Sequence, residues 1–163
     1  MEGINLLTAN HNSALKTICS HLKYDDFDWA ITGSTSLILQ GMDIAPNDID
    51  IITNKDGAYK INSLLKAYET SPVSFSDTNK IRSHFGVFEI DGVKVEVMGD
   101  IQIKRGTLWK TIAHLHLPHN IELVKYNDMS VPVLCLALES IGNRALGRFE
   151  RADEISLFIH SKP

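Results

Sequence analysis

The stretch GSTSLILQGMDIAPNDIDII, residues 33–52, decides how this chain folds. It joins a Gly-Ser pair to an apolar segment of helical character and then to a strand-like run that carries Asp48 and Asp50. A strand that only filled a core would not carry two aspartates, because a buried carboxylate is costly unless it is paired or bound to a metal ion. The stretch therefore predicts a functional site built on a strand.

The two aspartates are predicted to share one face of that strand, residues 48–53. Side chains alternate across a strand, so Asp48 and Asp50 point one way while Ile49 and Ile51 point toward the core. Two carboxylates that close repel each other, and a divalent cation relieves the repulsion. Oxygen ligands of this kind suit Mg²⁺.

A third acid lies in the segment HFGVFEIDGVKVEVMGD, residues 84–100. The Asp91-Gly92 pair between two alternating apolar runs predicts a β-hairpin. In its second strand Glu96 faces away from the valines at 93, 95 and 97. Three carboxylates on neighbouring strands, Asp48, Asp50 and Glu96, would make a metal site.

The Gly-Ser pair supplies the features of a phosphate cradle. Gly33 lets a bulky anion approach the backbone, and Ser34 is predicted to cap a helix over residues 35–41 whose free N–H groups favour anions. Each feature alone has an ordinary structural explanation, such as a capped turn or a solvated sheet face. Their combination in this order favours phosphoryl or nucleotidyl transfer.

The remaining segments predict an α/β (α+β) fold. We expect a mixed, largely antiparallel sheet of about five strands, with helices packed mainly on one face, plus C-terminal helices. Helices are expected over residues 4–23 and 57–69, and a terminal pair of helices is expected over 131–159, with Pro132 near its start. Further strands are expected at 28–34, in IQIK and in NIELVKYN.

Length and composition predict one domain over residues 1–163, with a core of about 24–127 and C-terminal helices of about 130–160. The net charge of −4 argues against a broad nucleic-acid surface. The chain has no apolar run near the ~20 residues of a membrane span and no basic-then-apolar leader, so a cytoplasmic location without a membrane partner is expected.

The pattern Gly33-Ser34, then Asp48-Ile49-Asp50, then Glu96 in VEV resembles the DNA polymerase beta-like nucleotidyltransferase superfamily. It is similar in particular to the small prokaryotic branch of minimal and antibiotic nucleotidyltransferases. The resemblance implies that Asp48 and Asp50 hold two Mg²⁺ ions on a nucleoside triphosphate, while Glu96 binds the second ion and helps deprotonate an acceptor hydroxyl. It implies that Gly33 and Ser34 grip the phosphates.

Two departures from that family pattern stand out. The third acid is Glu rather than the commoner Asp, and the chain lacks the large C-terminal domain that carries acceptor recognition in many relatives. In the closing helices, Arg144, Arg148 and Asp153 are the approximate counterparts of a recurring basic residue and an Arg…Asp pair.

Other polar residues are compatible with either a functional or a purely structural role. Lys80 and Arg82, with His84, lead into the hairpin, where they could contact the nucleotide or form a solvated basic loop. A metal site at His114, His116 and His119 is disfavoured, because no Cys accompanies them and the Leu-Pro interleaving indicates a strand end and turn.

The predicted function is a metal-dependent nucleotidyltransferase that moves an NMP from an NTP to an acceptor hydroxyl and releases pyrophosphate. The alternative is a non-catalytic nucleotide-binding or interaction module with the same fold, such as a toxin–antitoxin component. A nuclease or phosphatase is a third hypothesis. The Gly-Ser pair argues against it, since a hydrolase needs no site that binds a triphosphate. The acceptor, whether small molecule, RNA end or protein, and the oligomeric state stay open.

Overall fold

A computed structural model describes residues 7–111 and 117–163. Within these residues the chain forms eight strands, six α-helices and a 3-10 turn. In chain order they are α1 (Ala9–His21), β1 (Trp29–Thr32), α2 (Gly33–Leu39), β2 (Ile49–Thr53), α3 (Lys55–Leu64), the 3-10 turn Lys66–Tyr68, β3 (Glu69–Asp77), β4 (Ile81–Ile90), β5 (Val93–Arg105), β6 (Leu108–Thr111), α4 (Leu117–Asn120), β7 (Ile121–Tyr126), β8 (Met129–Leu134), α5 (Leu136–Ala145) and α6 (Phe149–Ser161).

The strands form one sheet in the order β3-β4-β5-β2-β1-β8-β7, with β6 paired to β5. The pairs β2–β5 and β1–β8 are parallel and the others are antiparallel, so the prediction of a mixed, largely antiparallel sheet is confirmed. The hairpin predicted at Asp91-Gly92 joins β4 to β5, and both residues have positive φ angles, as such a tight turn requires.

The sheet has eight strands rather than about five. The strand β3 was not predicted, because its sequence ETSPVSFSD mixes Pro72 with polar residues. The strand β8 lies where the terminal helical pair was expected to begin, and it pairs with β7 and β1. Pro132 therefore lies in a strand, and the first closing helix begins only at Leu136.

Helix boundaries differ from the predicted ones where capping groups fix them. The side chain of Thr8 accepts a hydrogen bond from the His11 N–H and starts α1. The Asn54 side chain accepts from the Gly57 N–H at 2.7 Å and starts α3 two residues before the predicted helix 57–69. That helix ends at Leu64, and the 3-10 turn leads directly into β3.

The central strands have one fully buried face. Helices α1 and α3 pack on this face, whose cluster includes Leu15, Ile18, Ile61, Phe88 and the β2 and β5 residues Ile49, Ile51, Val95 and Val97. A second cluster joins α2, α5 and α6 through Leu37, Leu136 and Ile155. The opposite face of β2 and β5 remains partly open and carries the acids. No helix in the described part of the chain is long and apolar enough to cross a membrane.

Candidate active site

Two of the predicted acids are direct cross-strand neighbours. Asp50 on β2 is the register partner of Glu96 on the parallel strand β5, between the buried pairs Ile49–Val95 and Ile51–Val97. The alternation of side chains puts the four apolar residues in the core and both carboxylates on the open face. The side chains of these two isoleucines and two valines are fully buried.

The third acid lies one residue before the strand. Asp48 precedes β2, and 37% of its side chain is exposed. The Lys94 Nζ atom lies 3.7 Å from Asp48 Oδ2 and 2.6 Å from Glu96 Oε1. The hydrogen bond to Glu96 raises the pKa of Lys94. A lysine ammonium thus serves as a counter-ion between these two acids.

Asp50 carries an unfavourable negative charge. Burial, together with the nearby Glu96 and Asp48, raises the pKa of Asp50 to about 7, while Arg148 acts in the opposite direction. A carboxylate in this position is only partly ionised at neutral pH. Any cation brought to the cluster would favour its ionised form.

Gly33 is the residue that lets the turn after β1 approach Asp50. Its φ angle is +72°, in the left-handed region that side chains disfavour. A Cβ atom at this position would lie 2.6 Å from Asp50 Oδ2. Both the backbone conformation and the space therefore require glycine.

The prediction that Ser34 caps the helix is wrong. Helix α2 begins at Gly33, and its N-cap residue is Thr32, whose side chain makes no capping hydrogen bond. Instead the Ser34 Oγ atom accepts a hydrogen bond of 3.0 Å from the Asn47 N–H. Ser34 thereby connects the start of α2 to the loop that leads into Asp48.

Sequence reasoning missed a fourth carboxylate, Glu139 on α5. It is 4% exposed and accepts hydrogen bonds from Thr32 Oγ1 at 2.7 Å and from the Gly33 N–H at 3.1 Å. Burial raises the pKa of Glu139 to about 7, against the lowering effect of these hydrogen bonds. An acid inside the apolar run LCLALES was the available signal.

Gly33, Ser34, Asp50, Glu96 and Glu139 border one cavity of about 670 Å³, whereas Asp48 and Lys94 are not among its described lining residues. Most of its lining comes from strands β1 to β5 and from helices α2, α5 and α6. Its charged lining residues among those described are Asp50, Glu96, Glu139, Arg148 and Arg151.

Other predicted residues lie elsewhere. Neither Lys80 nor Arg82 is among the described residues that line the cavity. The Arg82 Nε atom donates to Gln102 at 2.6 Å, and its guanidinium lies 4.4 Å from the centre of the Trp109 ring. A role for Lys80 and Arg82 in nucleotide binding stays a prediction.

In the closing helices, Arg144 and Asp153 form an ion pair of 2.6 Å, joining α5 to α6. Among the three histidines, His114 and His116 lie outside the described residues. His119 lies in the short helix α4.

The acids have the chemistry of a divalent-cation site. Their hard carboxylate oxygens suit Mg²⁺, and a cation beside the buried Asp50 would favour its ionised form. Over residues 7–111 and 117–163, however, no three Asp, Glu, His or Cys side chains already converge as a ligand set. Lys94 occupies the counter-ion position between Asp48 and Glu96. Binding a metal ion would require these side chains to reorient.

A family model described as aminoglycoside-2''-adenylyltransferase matches residues 14–153. The chain is also 34% identical to a Thermotoga maritima protein provisionally assigned as a nucleotidyltransferase, with a TM-score of 0.82 and 98% of each chain covered. No curated protein matches it significantly.

Two more distant structures share the fold. The antibiotic-modifying ANT(2'')-Ia, solved with adenylyl-2''-tobramycin, is 11% identical with a TM-score of 0.50 over 93% of this chain and 78% of that one. The lincosamide adenylyltransferase LnuA, solved with lincomycin, is 11% identical with a TM-score of 0.51 over 93% and 99%. The chain belongs to the aminoglycoside-2''-adenylyltransferase family, in the small branch of the nucleotidyltransferases.

Proposed function

We propose that this chain transfers an NMP from an NTP to an acceptor hydroxyl and releases pyrophosphate. The observation that carries the proposal is the pairing of Asp50 with Glu96 on adjacent strands, directly beside Gly33 and inside one cavity. Family membership supports the same chemistry.

The three acids would divide the chemistry between them. Asp48 and Asp50 would hold Mg²⁺, and Glu96 would hold a second ion and receive the acceptor's proton. The bound metal would neutralise charge on the triphosphate. The acceptor oxygen forms a bond to the α-phosphorus, and the bond from that phosphorus to the pyrophosphate oxygen breaks. General-base help of this kind contributes about 10²–10⁴-fold to a rate.

Gly33 and Ser34 would contact the phosphates in different ways. The Gly33 N–H already donates to Glu139, so the contribution of Gly33 is the lack of a side chain, which lets the turn lie against Asp50 and so beside the phosphates that Asp50 would bind through the metal. The Ser34 oxygen accepts from Asn47, which leaves its O–H free to donate to a phosphate oxygen. Arg148 and Arg151 add positive charge to the same cavity.

The experiment is a comparison of two labelled forms of ATP. The protein is incubated with Mg²⁺, a cell extract and ATP that carries its label on either the α- or the γ-phosphate. We expect the α-label to appear on an acceptor and the γ-label to appear in pyrophosphate. Transfer of the γ-label above the level in extract without the protein, with no protein-dependent transfer of the α-label, would contradict nucleotidyl transfer.

One observation favours a second candidate, a nucleotide-binding module without turnover. Lys94 already neutralises Asp48 and Glu96, which a metal ion would otherwise do. Binding of ATP without release of pyrophosphate, both in wild type and in Lys94→Ala, would favour this candidate. Pyrophosphate release by either protein would favour the enzyme.

A further inference from the structure

The order of strands sets a direction along the cavity. Gly33 follows β1, Asp50 lies on β2, Glu96 lies on β5, and the next strands outward are β4 and β3. The proposed function, on which this inference rests, puts the phosphates beside Gly33 and the proton-accepting group at Glu96. The acceptor then approaches Glu96 from the side of β4 and β3.

That side of the cavity has a distinct composition. We call it the uncharged wall, and its members are Ser76, Thr78, Ile81, Ser83, Phe85 and Met98. None of these described lining residues is charged. Met98 lies two residues beyond Glu96 on the same face of β5, about 7 Å along the strand.

The wall separates into an apolar part and a hydroxyl part. Phe85 and Met98 are cross-strand partners between β4 and β5. Ser76 and Ser83 are cross-strand partners between β3 and β4. A ligand that lies across the wall would meet hydrocarbon surface beside Glu96 and hydroxyl groups farther out.

This composition does not suit a polycation. An ammonium group moved out of water needs a carboxylate partner, and a site without one disfavours it strongly. Among the described residues, the carboxylates of the cavity are Asp50, Glu96 and Glu139. Metal ions or Lys94 would neutralise the first two, and Glu139 already accepts hydrogen bonds from Thr32 and Gly33. Serine and threonine hydroxyls pair equally well with neutral hydroxyls.

We propose that the acceptor is an uncharged hydroxyl compound with an apolar portion, bound across the uncharged wall. It is thus chemically unlike the polyamine sugars after which the family is named. The apolar portion packs on Phe85 and Met98, and the remaining hydroxyls bond to Ser76 and Ser83, since the Thr78 hydroxyl is already bonded to the backbone of Lys80 and Ile81.

The test uses three probes titrated by calorimetry into the full chain that already holds Mg²⁺ and a non-hydrolysable ATP analogue. They are phenyl β-glucoside, methyl β-glucoside and tobramycin. We expect phenyl glucoside to bind at least about tenfold more tightly than methyl glucoside, because its ring removes apolar surface from water. We expect tobramycin to bind more weakly than either.

Charge substitutions sharpen the test. Ser76→Glu places a carboxylate on the wall and should improve tobramycin binding at least about tenfold. Phe75→Glu is the matched control: it is the adjacent residue of β3, is exposed on the other face against His84, and should leave tobramycin binding unchanged. Ser76→Asp offers a shorter carboxylate at the same half-buried position if Ser76→Glu does not fold.

Several results would overturn the inference. One is tighter binding of tobramycin than of phenyl glucoside to wild type. Another is binding of phenyl glucoside only in the absence of the ATP analogue, with competition between the two ligands. The uncharged wall would then hold the nucleobase. Failure of the analogue itself to bind with Mg²⁺ would overturn the proposed function and this inference together, whereas failure of phenyl glucoside alone would overturn only the inference.

Discussion

The two faces of strands β2 and β5 differ completely in what they contribute. One face is fully buried and packs under α1 and α3, through the four residues Ile49, Ile51, Val95 and Val97. The other face, made by the residues between them, carries Asp50 and Glu96, which repel each other. The same backbone therefore stabilises the fold on one side and holds a destabilising cluster on the other.

The contrast teaches how a small domain can tolerate an anionic site. The apolar face provides burial that does not depend on the acids, so the acids need not contribute to stability. Truncating a residue on the buried face should lower the free energy of unfolding, whereas neutralising an acid on the other face should remove chemistry without lowering that free energy. The following predictions test this separation, from the largest expected effect to the smallest.

Glu96→Gln should lower the rate of nucleotidyl transfer by about 10²–10⁴-fold, because the acceptor hydroxyl loses its base. Affinity for ATP with Mg²⁺ should stay within about threefold. Thermal stability should not fall, since relief of the repulsion with Asp50 offsets the loss of the exposed ion pair to Lys94. Transfer assays, calorimetry and melting curves measure the three effects. Glu122→Gln, an exposed acid on β7, is the control, and full turnover by Glu96→Gln would refute the base assignment.

Ile51→Ala should show the opposite pattern. Removing this fully buried side chain should lower the free energy of unfolding by about 2–5 kcal/mol. The transfer rate per folded molecule should change little, because the residue faces away from the acids. Urea denaturation measures the first quantity, and a large loss of turnover in protein that is still folded would break the separation between faces.

The metal-free protein should lose stability as pH rises from about 4.5 to 7. Asp50 and Glu139 both have a folded-state pKa of about 7, above their ordinary values, so the folded state holds more protons in this window than the unfolded state does. The free energy of unfolding then falls as pH rises, on the order of 3 kcal/mol for each group. Glu139→Gln should reduce the dependence of the free energy of unfolding on pH. Denaturation of both proteins at pH 5 and pH 7.5 measures this difference.

A stability that rises over that interval would contradict the burial argument for both acids. An unchanged slope in Glu139→Gln would contradict it for Glu139 alone. Mg²⁺ at pH 7.5 should restore stability, because a cation removes the penalty on ionised Asp50.

Ser34→Ala should have the smallest effect. It removes one hydrogen bond to the Asn47 N–H and one hydroxyl donor to the phosphates, so ATP affinity should fall about fivefold to tenfold. Stability should fall by about 1 kcal/mol or less. Ser63→Ala, on the exposed side of α3, is the control, and unchanged ATP affinity in Ser34→Ala would remove its phosphate role.

The features that sequence predicted are local ones. The alternation in IDIIT and VKVEV and the turn at Asp91-Gly92 depend on neighbours a few residues apart, so the acid face and the hairpin were predictable. The strand β8 was not, because a short apolar run such as VPVL fits a buried strand or a helix equally well. Only pairing with the distant β1 and β7 decides between them.

The missed parts of the site depend on long-range contacts. Glu139 and Thr32 are separated by 107 residues in sequence, so nothing local connects the acid on α5 to the turn after β1. The error at Ser34 has a smaller cause. Helix α2 begins at Gly33, one residue before Ser34, which places the serine inside the first turn.

The central claim is that the acid face makes nucleotide binding depend on a divalent cation held by Asp50. Calorimetric titration of ATP into wild type and Asp50→Asn, with Mg²⁺ and with a chelator, tests it most directly. Asp100→Asn, an exposed aspartate of β5 outside the described cavity lining, is the matched control. We predict that wild type and the control bind ATP only with Mg²⁺. Asp50→Asn should bind at least about 100-fold more weakly while melting at an equal or higher temperature at pH 7.5. Binding of ATP by Asp50→Asn with wild-type affinity in Mg²⁺ would contradict the account.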